Sequence, residues 1–109
     1  MTIFNQVNSA ELQVDNVTQT VVTVGTTSVV LLAANPERKF LRIKHQNSGG
    51  AQFVYIHFAA SPATAANGFE LSENGIHLEG VGTGQMIYTG EIRCIASGAG
   101  RPVYVEERY

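Results

Sequence analysis

Short runs of Val, Ile, Thr, Tyr and Phe follow one another along this chain, and Gly, Asn or Pro closes each run before it lengthens. β-Branched and aromatic side chains suit a pleated, half-buried backbone, while the punctuating residues suit turns. No segment repeats apolar residues at the helical interval. Asn8 with Glu11 would cap a single turn, and the Ala-rich stretch AASPATAANG reads as a loop. The pattern predicts strands near 12–15, 18–24, 27–33, 40–46, 52–58, 68–71, 76–79, 86–88, 91–97 and 103–107. Many short antiparallel strands at this spacing predict an all-β fold, an antiparallel β-sandwich of jelly-roll-like form. With 109 residues the chain is long enough for one hydrophobic core. Residues 18–109 read as a single β-sandwich domain, and 1–17, more polar than the rest, as an N-terminal arm or edge segment.

Two turns carry readable chemistry. In NPER, Pro36 presets φ at the second turn position after an Asn that caps it, and in NSGG the glycines tolerate positive φ. Each is expected to join consecutive strands as a hairpin. A two-residue turn at Ser48 and Gly49 would set His45 opposite Gln52 and His57 opposite Phe40. By alternation Leu41, Ile43 and His45 then share a face with Val54 and Ile56, and His57 lies on the other face with Phe40, Arg42, Lys44, Phe53 and Tyr55. The two histidines are therefore not expected to meet.

The strand QFVYIHF is apolar on both faces, whereas each sheet of a sandwich has one inner face. Val54, Ile56 and Phe58 suit the core. Phe53 and Tyr55 then need cover from a loop, the N-terminal arm or another subunit, and Tyr and Phe beside Arg have the composition of a protein interface. The candidate interface is Phe40, Arg42, Lys44, Phe53, Tyr55 and His57, joined by Ile3 and Phe4 of the arm.

Seven Lys and Arg against nine Asp and Glu leave a net charge of −2, without the positive field that drives phosphate binding, so nucleic acid is not the expected partner. The basic residues are clustered: Arg38, Lys39, Arg42 and Lys44 crowd into residues 38–44. They form either a solvated strand or a basic stripe that docks on an acidic surface. The longest apolar run, VVLLAA, is far below the roughly 20 residues that span a bilayer, and MTIFNQVNSAEL lacks the charged and apolar regions of a secretory signal. A soluble, unexported chain with no membrane partner is expected.

Catalytic constellations are missing from the sequence. With Cys94 alone, an intrachain disulfide or thiolate metal cluster is impossible, and its place in EIRCIAS reads as a small core residue. His77 and Glu79 in HLE point to one side of a strand, but the zinc deaminase pattern they half match needs two further cysteines. There is no G-x-S-x-G elbow, Asp15 is the single aspartate, and no phosphate-binding glycine loop opens a helix. Glu70, Glu73 and Glu79 carry no sign of a paired-carboxylate site. The expectation is a non-enzymatic protein with no cofactor and no metal.

From about residue 24 to 107 the chain resembles a group of small structural proteins of tailed-bacteriophage virions. The residues that carry the resemblance are VGTTSVVLLAANPERKFLRIKHQNSGG, then FVYIHF with AASPATAANGFEL, then YTGEIRCIASGAGRPVYVEE. Members are described as decoration, cement or other structural proteins of the particle. The resemblance implies a β-sandwich that binds and braces the assembled capsid as an oligomer, with the major capsid protein and itself, as a dimer or trimer, for partners. It brings no catalytic residues. A tail, baseplate or fibre role is the first alternative. A nucleic-acid- or carbohydrate-binding module, with Phe53, Tyr55 and Arg42 as a stacking platform, is the second.

Overall fold

The computed structural model describes residues 14–46 and 52–109 and contains eight strands. They are β1 (Val17–Val24), β2 (Val29–Leu32), β3 (Phe40–His45), β4 (Phe53–His57), β5 (Phe69–Ser72), β6 (Ile76–Gly80), β7 (Ile92–Ala96) and β8 (Arg101–Arg108). All ladders are antiparallel and form two four-stranded sheets, here called A, with order β1-β8-β3-β6, and B, with order β2-β7-β4-β5. The pairs β1 with β8, β2 with β7, β3 with β6 and β4 with β5 are those of a long hairpin rolled up on itself. This is the jelly-roll arrangement.

Alternation along the strands builds the core. In β3 the residues Leu41, Ile43 and His45 are buried, and in β4 Val54 and Ile56, while their neighbours are partly exposed or lie on the outer surface. Sheet A contributes Val24, Leu41, Ile43, Val103 and Val105, and sheet B answers with Val54, Ile56, Leu71, Ile92, Cys94 and Ala96. Each fully buried aliphatic side chain stabilises the fold by about 1.5–3 kcal/mol.

Both expected hairpins are corrected. The NPER turn has the anticipated local chemistry: the Arg38 N–H donates to the Asn35 carbonyl at 3.0 Å and the Glu37 N–H to Asn35 Oδ1 at 3.1 Å. It nevertheless carries the chain from β2 in sheet B to β3 in sheet A, so it crosses between layers and closes no ladder. β3 and β4 also lie in different sheets, so the cross-strand partners expected for His45 and His57 are replaced. Phe40 stands opposite Gly80 and Arg108, and His57 opposite Arg93. The Ser48–Gly49 turn itself falls outside the described residues.

Two of the expected strands are not formed among the described residues. Residues 86–88 belong to a loop in which Gly82 and Gly84 adopt positive φ and the Tyr88 N–H bonds the Glu79 side chain at 2.9 Å instead of a strand. At 14–15 the chain is irregular, with the N–H groups of Asp15 and Asn16 sharing the Tyr109 carbonyl. Gly80, with φ of 95°, is required where β6 leaves sheet A, because a Cβ there would collide with the Lys39 carbonyl that accepts the Val81 N–H at 2.9 Å.

Candidate functional site

Placing β3 and β4 in opposite layers divides the expected interface between two surfaces of the molecule. Arg42 and Lys44 belong to the outer face of sheet A. Phe53, Tyr55 and His57 belong to the outer face of sheet B. No shared platform of Phe53, Tyr55 and Arg42 exists, which removes the geometry the stacking module required. Ile3 and Phe4 fall outside the described residues.

On sheet B the local chain already engages the candidates. Gly68 packs so closely on Tyr55 that a Cβ there would come 2.5 Å from the Tyr55 Cβ. His57 Nε2 pairs with Ser61 Oγ at 2.9 Å, and the Phe53 N–H donates to Ser97 Oγ at 3.0 Å. The loop that follows β4 thus folds back over its outer face.

On sheet A the strand register assembles a polar network along β3 and β8. Arg42 stands opposite Glu106, and Phe40 opposite Arg108. The Glu106 carboxylate, on a residue only 1% exposed, accepts from Arg108 Nε at 2.6 Å, Tyr104 Oη at 2.9 Å and Arg42 Nη1 at 3.5 Å. Burial by itself would raise this carboxyl. The hydrogen bonds from Arg108 and Tyr104 and the charges of Arg108 and Arg42 outweigh burial and hold it below the usual carboxylate range. Tyr104 is displaced upward, by burial first and then by its bond to Glu106 and that group's charge. Phe40 is covered by its own chain, with the Arg108 guanidinium 4.7 Å and that of Arg42 5.6 Å from the ring centre.

Beside this network lies an open groove of about 400 Å³ lined by Arg42, Lys44, Gln46, Ile76, Leu78 and Tyr104. Ile76 is 54% exposed and Leu78 37%, so two cations and a phenol stand against an apolar wall open to solvent. Charge, an aromatic ring and exposed aliphatics in one concavity are the components of a protein-docking surface. Ile76 and Leu78 are not among the residues that the sequence singles out. Their outward alternation with His77 was visible in IHLEG, but their place beside Arg42 follows from the pairing of β3 with β6.

The basic cluster is divided as well. Arg38, 2% exposed, does not contribute to a docking stripe. Its guanidinium donates to Glu107 Oε1 at 2.9 Å and to the carbonyls of Ala33 at 2.7 Å, Tyr88 at 2.8 Å and Gly90 at 3.2 Å. It ties the β2–β3 and β6–β7 connections to the last strand.

The remaining candidates occupy structural positions. His77 and Glu79 do share a side of β6, bonded at 2.7 Å, and His77 packs between the Phe58 and Phe69 rings at 5.4 and 5.2 Å. Among the described residues no group of three or more His, Cys, Asp or Glu is placed to hold a metal ion. His45 is fully buried, bonded through Nδ1 to the Leu71 carbonyl at 3.1 Å. Cys94 is buried too, which pushes its thiol up to about 12.

The class defined by fold and surface is an antiparallel jelly-roll sandwich with an open groove of mixed charged and apolar lining on one outer face. No protein-family model and no curated protein matches the chain. Among solved structures it is similar, at a TM-score of 0.43 and 14% identity over 89% of each chain, to one described as "Bacillus endospore appendages form a novel family of disulfide-linked pili". A similarity that remote carries no argument about this chain.

Proposed function

We propose that this chain is a non-enzymatic structural subunit of a tailed-phage particle, a capsid decoration protein that binds the assembled head and stabilises it. The observation that carries the docking role is the groove on sheet A, where Arg42, Lys44 and Tyr104 stand against the exposed Ile76 and Leu78. The resemblance of residues 24–107 to virion structural proteins supplies the partner, the major capsid protein. Binding the assembled lattice in preference to its dispersed subunits stabilises the lattice by mass action, so many weak contacts suffice.

The test is cryo-electron microscopy of capsids assembled from the major capsid protein of the same genome, with and without added protein. Ordered copies on the outer surface, and shells that resist heating better, are the expected result. Lys44→Glu and Leu78→Asp should each weaken binding by about tenfold or more, as loss of a central contact does. Shells that bind no copies, or particles carrying the protein in the tail, overturn the reading.

A further inference from the structure

The four edge strands of the sandwich are not alike. β2 has four residues and a register break between Val30 and Leu32. β5 has four residues and carries Glu70. β6 carries His77 and Glu79, and its final N–H, from Gly80, is already bonded to the Gln85 carbonyl at 3.0 Å. Short length, a bulge, charge and cover are the devices by which edges avoid pairing with other chains. Among the described residues β1 has none of them. It runs eight residues, VTQTVVTV, without a charged residue and in unbroken register with β8, its one neighbour among the described residues.

The hydrogen-bonding phase of that edge follows from its first pair. Asn16 and Tyr109 exchange both backbone hydrogen bonds, at 2.6 and 2.9 Å, so they are a narrow pair. Narrow and wide pairs alternate, which turns the N–H and C=O of Thr18, Thr20 and Val22 toward β8. Those of Val17, Gln19, Val21 and Thr23 point away from the sheet. The side chains of these same four residues lie on the outer face with Arg108, Glu106 and Tyr104, and Val17 and Val21 are 55% and 51% exposed.

We infer that β1 is a self-pairing edge, and that two copies of this chain join through it, antiparallel, into one continuous sheet with β1 beside its counterpart at the centre. One register uses every free group. Val17 lies opposite the partner's Thr23 and Gln19 opposite the partner's Val21, each as a narrow pair that exchanges both its hydrogen bonds. Thr20 meets its own counterpart on the twofold axis. In this register outer-face residues oppose outer-face residues, as a twofold normal to the sheet demands, and Val sits across from Thr or Gln with no like charges facing. The occupant is a second copy because the edge is complementary to itself in hydrogen-bond phase, face and charge. This inference stands apart from the capsid reading, since it concerns the free protein.

Sedimentation velocity of the full chain over a concentration series tests it. The expected result is a monomer–dimer equilibrium that Gln19→Pro and Val21→Lys each weaken by about tenfold or more, through loss of an edge donor or the approach of two diagonally placed lysines across the twofold axis. Both should keep a cooperative melt, because neither change reaches the β8 ladder. Register is read by cysteine: in a wide pair the Cα atoms stand about 4.5 Å apart, within disulfide reach, so Thr20→Cys should cross-link on mild oxidation and Thr18→Cys should not. A chain that remains monomeric at the highest concentration overturns the inference. So does a dimer indifferent to Gln19→Pro and Val21→Lys, or equal cross-linking at both cysteine positions. A full chain that dimerises only after residues 1–13 are removed also overturns it, since the edge would then be covered by the chain's own N-terminal segment.

Discussion

Arg38 Nε donates to Glu107 Oε1 at 2.9 Å, joining the β2–β3 connection to the last strand across 69 positions of sequence. The Arg38 side chain is wholly shielded from solvent and that of Glu107 is 12% exposed, so neither has much water to fall back on. Asn35 Nδ2 adds a second donor to the same carboxylate oxygen at 3.2 Å. Arg38→Met should destabilise the fold by about 3–5 kcal/mol, because it strands a largely buried carboxylate and deprives three carbonyls of their donor. Urea unfolding measures the loss. Arg38→Lys should recover only part of it, since an ammonium cannot reproduce the planar fork that reaches Ala33, Tyr88, Gly90 and Glu107 together.

Glu106 makes stability depend on acid. Its carboxyl is held below the ordinary glutamate value of about 4.3, so the folded state favours the charged form more than the unfolded chain does. The resulting stabilisation is complete above that ordinary value and is lost as pH falls through the lower, folded one. Urea unfolding from neutral pH down to about 2 should show the wild-type chain losing more stability below pH 4 than Glu106→Gln does. The two curves should converge in acid. Equal slopes for both would contradict the assignment.

Cys94 should be inert in the folded protein. Burial pushes its thiol up to about 12, leaving almost no thiolate near neutral pH, and a bulky reagent has no path to the sulfur. A chromogenic disulfide reagent at pH 8 should react with one thiol per chain in denaturant and with essentially none before unfolding. Rapid reaction of the native chain would place the residue at the surface.

Ile56 lies between the sheets and is 1% exposed, with Val54 and Cys94 as further members of the same cluster. Ile56→Ala should cost about 2–5 kcal/mol, the range for truncating a buried aliphatic side chain whose cavity only partly collapses. Val30→Ala, at a side chain 45% exposed on the sheet B edge, should fall within about 0.5 kcal/mol of wild type. Thermal melts of the two variants side by side check the contrast.

The groove was legible in part. Arg42 and Lys44 alternate with the buried Leu41 and Ile43, so their outward direction was written in FLRIKH. That Phe53 and Tyr55 face outward on their own strand was equally readable. Their common surface with Arg42 was not, because it depended on a hairpin that the chain does not make. NPER illustrates why: its hydrogen bonds are those of a tight turn, yet a tight turn specifies only the reversal of direction, and β2 and β3 diverge into separate layers after it. Ile76 and Leu78 reach the groove through a pairing between strands more than thirty positions apart.

The sequence by itself determined the class of element, the alternation that puts Leu41, Ile43, Val54, Ile56, Cys94 and Ala96 inward, and hence an all-β sandwich, because these depend on each residue and its near neighbours. The tertiary structure alone decided which strands are partners, that Arg38 is a buried clasp while Arg42 borders a groove, and that β1 has β8 as its one neighbour among the described residues. Those outcomes arise when the rolled hairpin closes and distant segments exclude water from one another. A cation four residues from another carries no local mark of which of the two will be enclosed.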